Sequence, residues 1–152
     1  MTMSIRAAVS DDADAISRVI IAALRETNAK DYPQDIIDRL EHGFRSEAVR
    51  ELMETRTVFV AMREARIVGT ASLDGAVIRT VFVSPDAQGQ GVGRRLMARA
   101  VVAAREAGIT NLVVPSSVTA EQFYAKLGFK AVRDVYHGAE RTIVMELKID
   151  AP

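Results

Sequence analysis

The chain has 152 residues, 49% of them apolar and 26% charged, enough to bury the core of one soluble globular domain. Its 20 basic and 20 acidic side chains cancel, which argues against a broad basic surface for nucleic acid, and the absence of cysteine excludes disulfides, thiolate nucleophiles and cysteine metal sites. The two histidines, His42 and His137, lie far apart without ligand spacing, so no metal site is expected.

Met1 to Arg6 carries no apolar stretch of the signal-peptide kind, and no apolar run approaches the ~20 residues of a membrane span. The expectation is a cytoplasmic protein without a membrane partner. No repeat or linker-like tract divides the chain, so a single domain over 1–152 is expected.

Ser4 to Val9 reads as a short strand, with Ser10 and Asp11 placed to cap the next segment. Ile16, Val19, Ile20, Ala23 and Leu24 recur at helical spacing and predict a helix of about four turns. Asn28 to Tyr32 is a polar connection. Pro33 suits a first helical position and Gly43 a C-terminal cap, bracketing a short helix with Ile36, Ile37 and Leu40. Ser46 is placed to cap another, carrying Val49, Leu52 and Met53.

The period then changes. Thr57 to Met62 and Ile67 to Leu73 read as strands around a hairpin tip at Glu64-Ala65, and Asp74-Gly75 as a tight turn that tolerates positive φ. Ala76 to Val83, long and apolar, suits the middle of a sheet. Val92, Leu96, Met97, Ala100, Val101 and Ala104 line one face of a helix ending at Gly108, and Thr110 to Val114 is a buried-looking strand. Thr119 and Gln122 have capping-box spacing, predicting a helix from about Ala120 to Leu127 with Gly128 as its cap. Phe129 to Tyr136 and Thr142 to Lys148 form a last hairpin. These elements specify an α/β (α+β) domain with helices packed on a twisted, largely antiparallel sheet.

The segment Gln88-Gly89-Gln90-Gly91-Val92-Gly93-Arg94-Arg95 comes after a strand and Pro85 and opens a helix. Strand, glycine loop and helix start together present unpaired backbone N–H groups to a phosphate. The spacing fits neither Gly-x-Gly-x-x-Gly, since Arg94 or Leu96 stands at the sixth position, nor a P-loop. The plainer alternative is a flexible turn. Against it, Arg94 and Arg95 occupy a first helical turn, where the macrodipole disfavours each cation by ~0.3–1 kcal/mol, and a bound polyanion reverses that sign. Arginines snorkelling into solvent would avoid the conflict at little cost.

From Arg66 onward the chain resembles the GCN5-related N-acetyltransferases; before that the resemblance is in element order alone. It rests on Val81-Phe82-Val83-Ser84-Pro85, on Gln88 to Gly93, and on Phe123-Tyr124-Ala125-Lys126-Leu127-Gly128-Phe129, about thirty residues further on. The resemblance implies a GNAT-like sheet of about six to seven strands flanked by about four to five helices. It implies acetyl-CoA as donor, without a metal, and a small-molecule or peptide amine as acceptor. Backbone N–H groups of Gln88, Gly89, Gln90, Gly91, Val92 and Gly93 would hold the pyrophosphate and Arg94 would neutralise it. The pantetheine arm would lie along the strand ending at Val81, Phe82 and Val83, with the N–H of Val83 or Phe82 facing the thioester carbonyl. Ser117 stands where the family often has an Asn beside the donor; turn formation is its other role.

The resemblance also implies that Tyr124 protonates the departing thiolate; the alternative is a core aromatic whose hydroxyl meets a carbonyl. Lacking cysteine, the chain would transfer acetyl directly in a ternary complex. The strand from Ala76 to Val83 lacks the carboxylate that many members use as a base. Asp74, Glu26, Asp31, Glu41 and His42 are substitutes, and Arg79 would take an anionic acceptor group if it pointed inward. Tyr32, His42, Phe44, Tyr136 and His137 are candidate walls of the acceptor site. Dimers are common in the family, so a homodimer is compatible with this chain. A non-catalytic acyl-CoA-binding domain and a generic nucleotide-phosphate binder are the competing readings.

Overall fold

The β-branched runs of the sequence form seven strands in the computed structural model, which describes residues 2–150; Met1, Ala151 and Pro152, the ends of the expected 1–152 domain, lie outside the described residues. The strands are β1 (Met3–Ala7), β2 (Thr57–Arg63), β3 (Arg66–Asp74), β4 (Val77–Val83), β5 (Asn111–Ser116), β6 (Lys130–His137) and β7 (Glu140–Lys148). They share one sheet in the order β1-β2-β3-β4-β5-β7-β6, antiparallel except where β4 meets β5. Five helices accompany them: α1 (Ala13–Glu26), α2 (Gln34–Gly43), α3 (Ser46–Thr55), α4 (Val92–Glu106) and α5 (Glu121–Lys126). Glu64 and Ala65 form the expected two-residue tip between β2 and β3, both at positive φ (52° and 63°), the handedness that matches strand twist.

Alternation along β2 divides the core. Val60 packs with Ile16, Ile20 and Leu24 of α1 and with Ile36, Ile37 and Val49 of α2 and α3. Its neighbours Phe59 and Ala61 pack on the other face with Val92 and Leu96 of α4. A third cluster joins Met97, Ala100 and Ala104 of α4 to Ile78, Leu112, Ile143, Met145 and Tyr124. Helices therefore cover both faces of the sheet.

Two irregularities in β4 shape the site. β4 and β5 are in register only at Val77 and Val113, where the Val113 N–H donates to the Ala76 carbonyl at 3.0 Å; beyond that point the strands part. Opposite β3, Ser72 pairs with Arg79 and Thr70 with Phe82, so Thr80 and Val81 together face Ala71. This is a β-bulge, with Thr80 at φ 58°.

The expected caps are the main departure from the sequence reading. Asp12, rather than Ser10 or Asp11, accepts the Val9 N–H at 2.8 Å, while Arg6 donates to both its oxygens at 2.8 and 3.0 Å. Pro33 precedes α2 instead of opening it, and Ser46 lies inside α3, with Arg45 at the cap position. Thr119 does not close a capping box: its hydroxyl donates to Asp31 Oδ2 at 2.7 Å, and α5 begins at Glu121. At Pro33, Ser46 and Thr119 a tertiary partner or the entering backbone wins over a local side-chain cap, while Asp12 caps locally from within its own turn.

Candidate active site

Where β4 and β5 part, a cavity of about 670 Å³ opens between the N-terminus of α4, the helix α5 and the C-terminal end of α1. Val81, Phe82, Val83, Gln88, Gly89, Gly91, Val92, Gly93, Arg94, Ser117 and Tyr124 all line it. Gln90 does not: its Oε1 accepts a hydrogen bond from Arg63, outside the cavity.

The glycine loop has separable parts. Gly91 is the cap residue of α4 at φ 79°, a left-handed conformation that L side chains adopt only with strain. Gly93 serves by close approach: a Cβ there would stand 3.1 Å from Cζ of Phe123. The Gln88 side chain donates to the Val83 carbonyl at 3.0 Å, tying the loop to the end of β4. The two arginines divide. Arg95 donates to the Met3 carbonyl at 2.8 Å and is thereby committed to β1, whereas Arg94 borders the cavity.

Strand alternation orients the donors of β4. The Ser84 N–H donates to Val68 at 2.8 Å and Phe82 pairs with Thr70, both on the β3 side. The polar backbone of Val83, and of Val81 beyond it, turns toward the parted β5 side. Of the two N–H groups considered for the thioester, Phe82 is engaged in the sheet.

Tyr124 is 4% exposed, its ring held edge-on between Phe123 (centroids 5.1 Å apart) and Phe129 (5.7 Å). Its hydroxyl has no partner among the described residues, and no fully enclosed side-chain oxygen or nitrogen lacks one. The hydroxyl must therefore open onto the cavity that Tyr124 lines. Burial pushes its pKa well above the usual tyrosine value, so it stays protonated. Ser117 borders the cavity too, while its Oγ accepts the Ala120 N–H at 3.1 Å at the entry to α5, so it does form the turn.

Among the described residues, the charged side chains on the cavity wall are Arg94 and Lys126, and no carboxylate or histidine lines it. Asp74 is 3.2 Å from Arg79 and 4.0 Å from Arg56, so Arg79 is already paired. Glu41 is paired with Arg25 at 2.8 Å, Asp31 accepts from Thr119, and Glu26 and His42 are exposed away from the cavity. Of the expected acceptor walls, Tyr32 is buried and accepts the Val118 N–H at 2.7 Å, and Phe44 packs edge-on against Phe82 at 5.9 Å. His42, Tyr136 and His137 are exposed, and none of the five lines the cavity.

Asn28 was not singled out by sequence. It lies in the single turn Asn28–Lys30 after α1, is 7% exposed, lines the cavity, and its amide bonds to no other side chain or backbone group among the described residues. The available signal was only its place at the end of a strongly apolar helix.

Among the described residues, no group of three or more His, Cys, Asp or Glu could hold a metal, and no helix is long and apolar enough to cross a membrane. Over 97 residues the chain is 32% identical to the peptidyl-lysine N-acetyltransferase YjaB of Salmonella typhimurium, a match covering 61% of this chain and 66% of that relative, just under two thirds of its length. The structure superposes with TM-score 0.89 on a GCN5-related N-acetyltransferase from Rhodopseudomonas palustris, 24% identical, over 98% of this chain and 99% of that one. It superposes with TM-score 0.68 on yncA from Salmonella typhimurium with its cofactor acetyl-CoA, 26% identical, over 99% and 95% of the two chains. Residues 28–147 match the acetyltransferase (GNAT) domain, a stretch that holds the parted strands, the glycine loop and Tyr124, and the chain belongs to that family.

Proposed function

We propose that this chain is an acetyl-CoA-dependent N-acetyltransferase that moves the acetyl group directly to a primary amine. The observation that carries the reading is the unpartnered hydroxyl of the otherwise buried Tyr124, opening into a cavity whose other end is a helix N-terminus flanked by Arg94. The loop and Arg94 suit the pyrophosphate, the parted edge of β4 suits the peptide-like pantetheine arm, and the Val83 N–H suits the thioester oxygen.

The amine nitrogen bonds to the thioester carbon as the carbonyl oxygen gains charge. The carbon–sulfur bond then breaks, and sulfur takes the Tyr124 proton. The acceptor nitrogen loses a proton to solvent, and Tyr124 regains one from the same source. Asn28 and Thr27 stand at the α1 end of the cavity, where the acceptor would enter. The YjaB relative is named for a peptidyl-lysine acceptor, so a lysine side chain in a peptide is the first acceptor to try, with small amines beside it.

The absence of a carboxylate among the described residues of the cavity wall favours one other reading, a domain that binds acyl-CoA without turning it over. Incubation with acetyl-CoA and a panel of lysyl peptides and small amines, with release of free thiol as readout, separates the two. Amine-dependent thiol release is expected. Tight acetyl-CoA binding with no release across the panel would establish the non-catalytic reading instead.

A further inference from the structure

The bulge of β4 places a β-branched residue where the backbone favours glycine. Thr80 at φ 58° holds a strained conformation that persists in such a residue only where its surroundings impose it. Two side chains do so. Ser72 Oγ donates to the Arg79 carbonyl at 2.7 Å, fixing the residue before the bulge. Arg56 Nη1 donates to Thr80 Oγ1 at 3.1 Å, fixing the bulge residue itself.

Arg56 comes directly after α3, and its side chain is only 16% exposed. Its Nε lies 4.0 Å from Asp74 Oδ2, a carboxylate that Arg79 engages more closely at 3.2 Å. A mostly buried guanidinium thus directs a donor to a neutral hydroxyl instead of forming a close ion pair. That hydroxyl belongs to a residue that lines the cavity and immediately precedes Val81.

We propose that Arg56 is a positioning residue for acetyl transfer: by holding Thr80 Oγ1 it keeps the left-handed bulge that aims the Val81 and Val83 backbone into the cavity. The inference rests on the acetyltransferase reading above. Arg56 touches neither donor nor acceptor and acts only through the strand.

The test is a two-residue cycle. Arg56→Met should lower kcat about tenfold while leaving acetyl-CoA affinity within about twofold. Thr80→Gly adopts positive φ without a clamp, so adding Arg56→Met to that background should lower kcat by no more than about twofold. Hydrogen exchange at the Phe82 amide, which pairs with Thr70 beside the bulge, should accelerate in Arg56→Met and not in the double variant. If Arg56→Met folds poorly, Arg56→Lys serves in its place, with a loss of several-fold that Thr80→Gly again suppresses. An equal loss of kcat in both backgrounds, or unchanged exchange at Phe82, would overturn the inference. An unmutated protein inert toward every amine would overturn the acetyltransferase reading, and Phe82 exchange would still decide whether Arg56 holds the bulge.

Discussion

Tyr32 and Tyr124 are both buried, and burial raises the pKa of both, yet their hydroxyls have opposite fates. Tyr32 accepts the Val118 N–H at 2.7 Å and reaches the Arg141 carbonyl at 3.5 Å, fastening the connection after α1 to the loop before α5 and to β7. Tyr124, wedged between two phenylalanine rings, has no such partner and faces the cavity. A buried hydroxyl bonded to backbone contributes to the fold; one left unbonded at a cavity is available to a ligand.

The largest test of that contrast is Tyr124→Phe. Turnover should fall about 10²–10⁴-fold, with acetyl-CoA affinity within about twofold and thermal stability nearly unchanged, because no protein hydrogen bond is lost. Its raised pKa also predicts that the unmutated protein keeps its turnover through the pH range where an ordinary tyrosine ionises, since the proton is still present there.

Tyr32→Phe should do the reverse. Removing its oxygen leaves the Val118 N–H without an acceptor and should cost about 1–2 kcal/mol in denaturant unfolding, with a smaller loss of turnover than Tyr124→Phe. A catalytic loss as large as that of Tyr124→Phe would break the comparison.

Asp12 extends the contrast to a carboxylate bonded within the fold. The hydrogen bonds from Arg6 hold its pKa below the usual aspartate value. Its contribution is complete above the unfolded value near 4 and is lost as pH falls through the lower folded value. Asp12→Asn should therefore cost about 1 kcal/mol at pH 7, the guanidinium being partly exposed, and the difference from the unmutated protein should shrink below pH 4.

The sequence made the strands and long helices legible because their periods are strong: alternation in β2, a 3.6-residue repeat in α1, a long apolar run in β4. The glycine loop was legible as a turn from strand into helix because glycines at fixed spacing after a strand have few other uses. The caps were not. Thr119 and Ser46 have the right chemistry for capping, but residues distant in sequence or the entering backbone determine their setting. Nor was the bulge, because threonine is a good strand former and nothing in its neighbours announces a positive φ. Asn28 looked like an ordinary turn residue; its burial depends on how the end of α1 meets β4 and the loop before α5. Arg79, open to an acceptor role by sequence, proved committed to Asp74.

Gly93 has a consequence for the geometry of the donor. Its missing side chain lets the ring of Phe123 rest against the first turn of α4, and Phe123 is the covalent neighbour of Tyr124. The turn beside Arg94 and the Tyr124 hydroxyl, proposed as the proton donor, are thus parts of one mechanical caliper, its span set by a glycine backbone meeting an aromatic edge. Matching that span to the length between the phosphates and sulfur of its donor would let the protein select a whole molecule by distance, with neither end recognised alone.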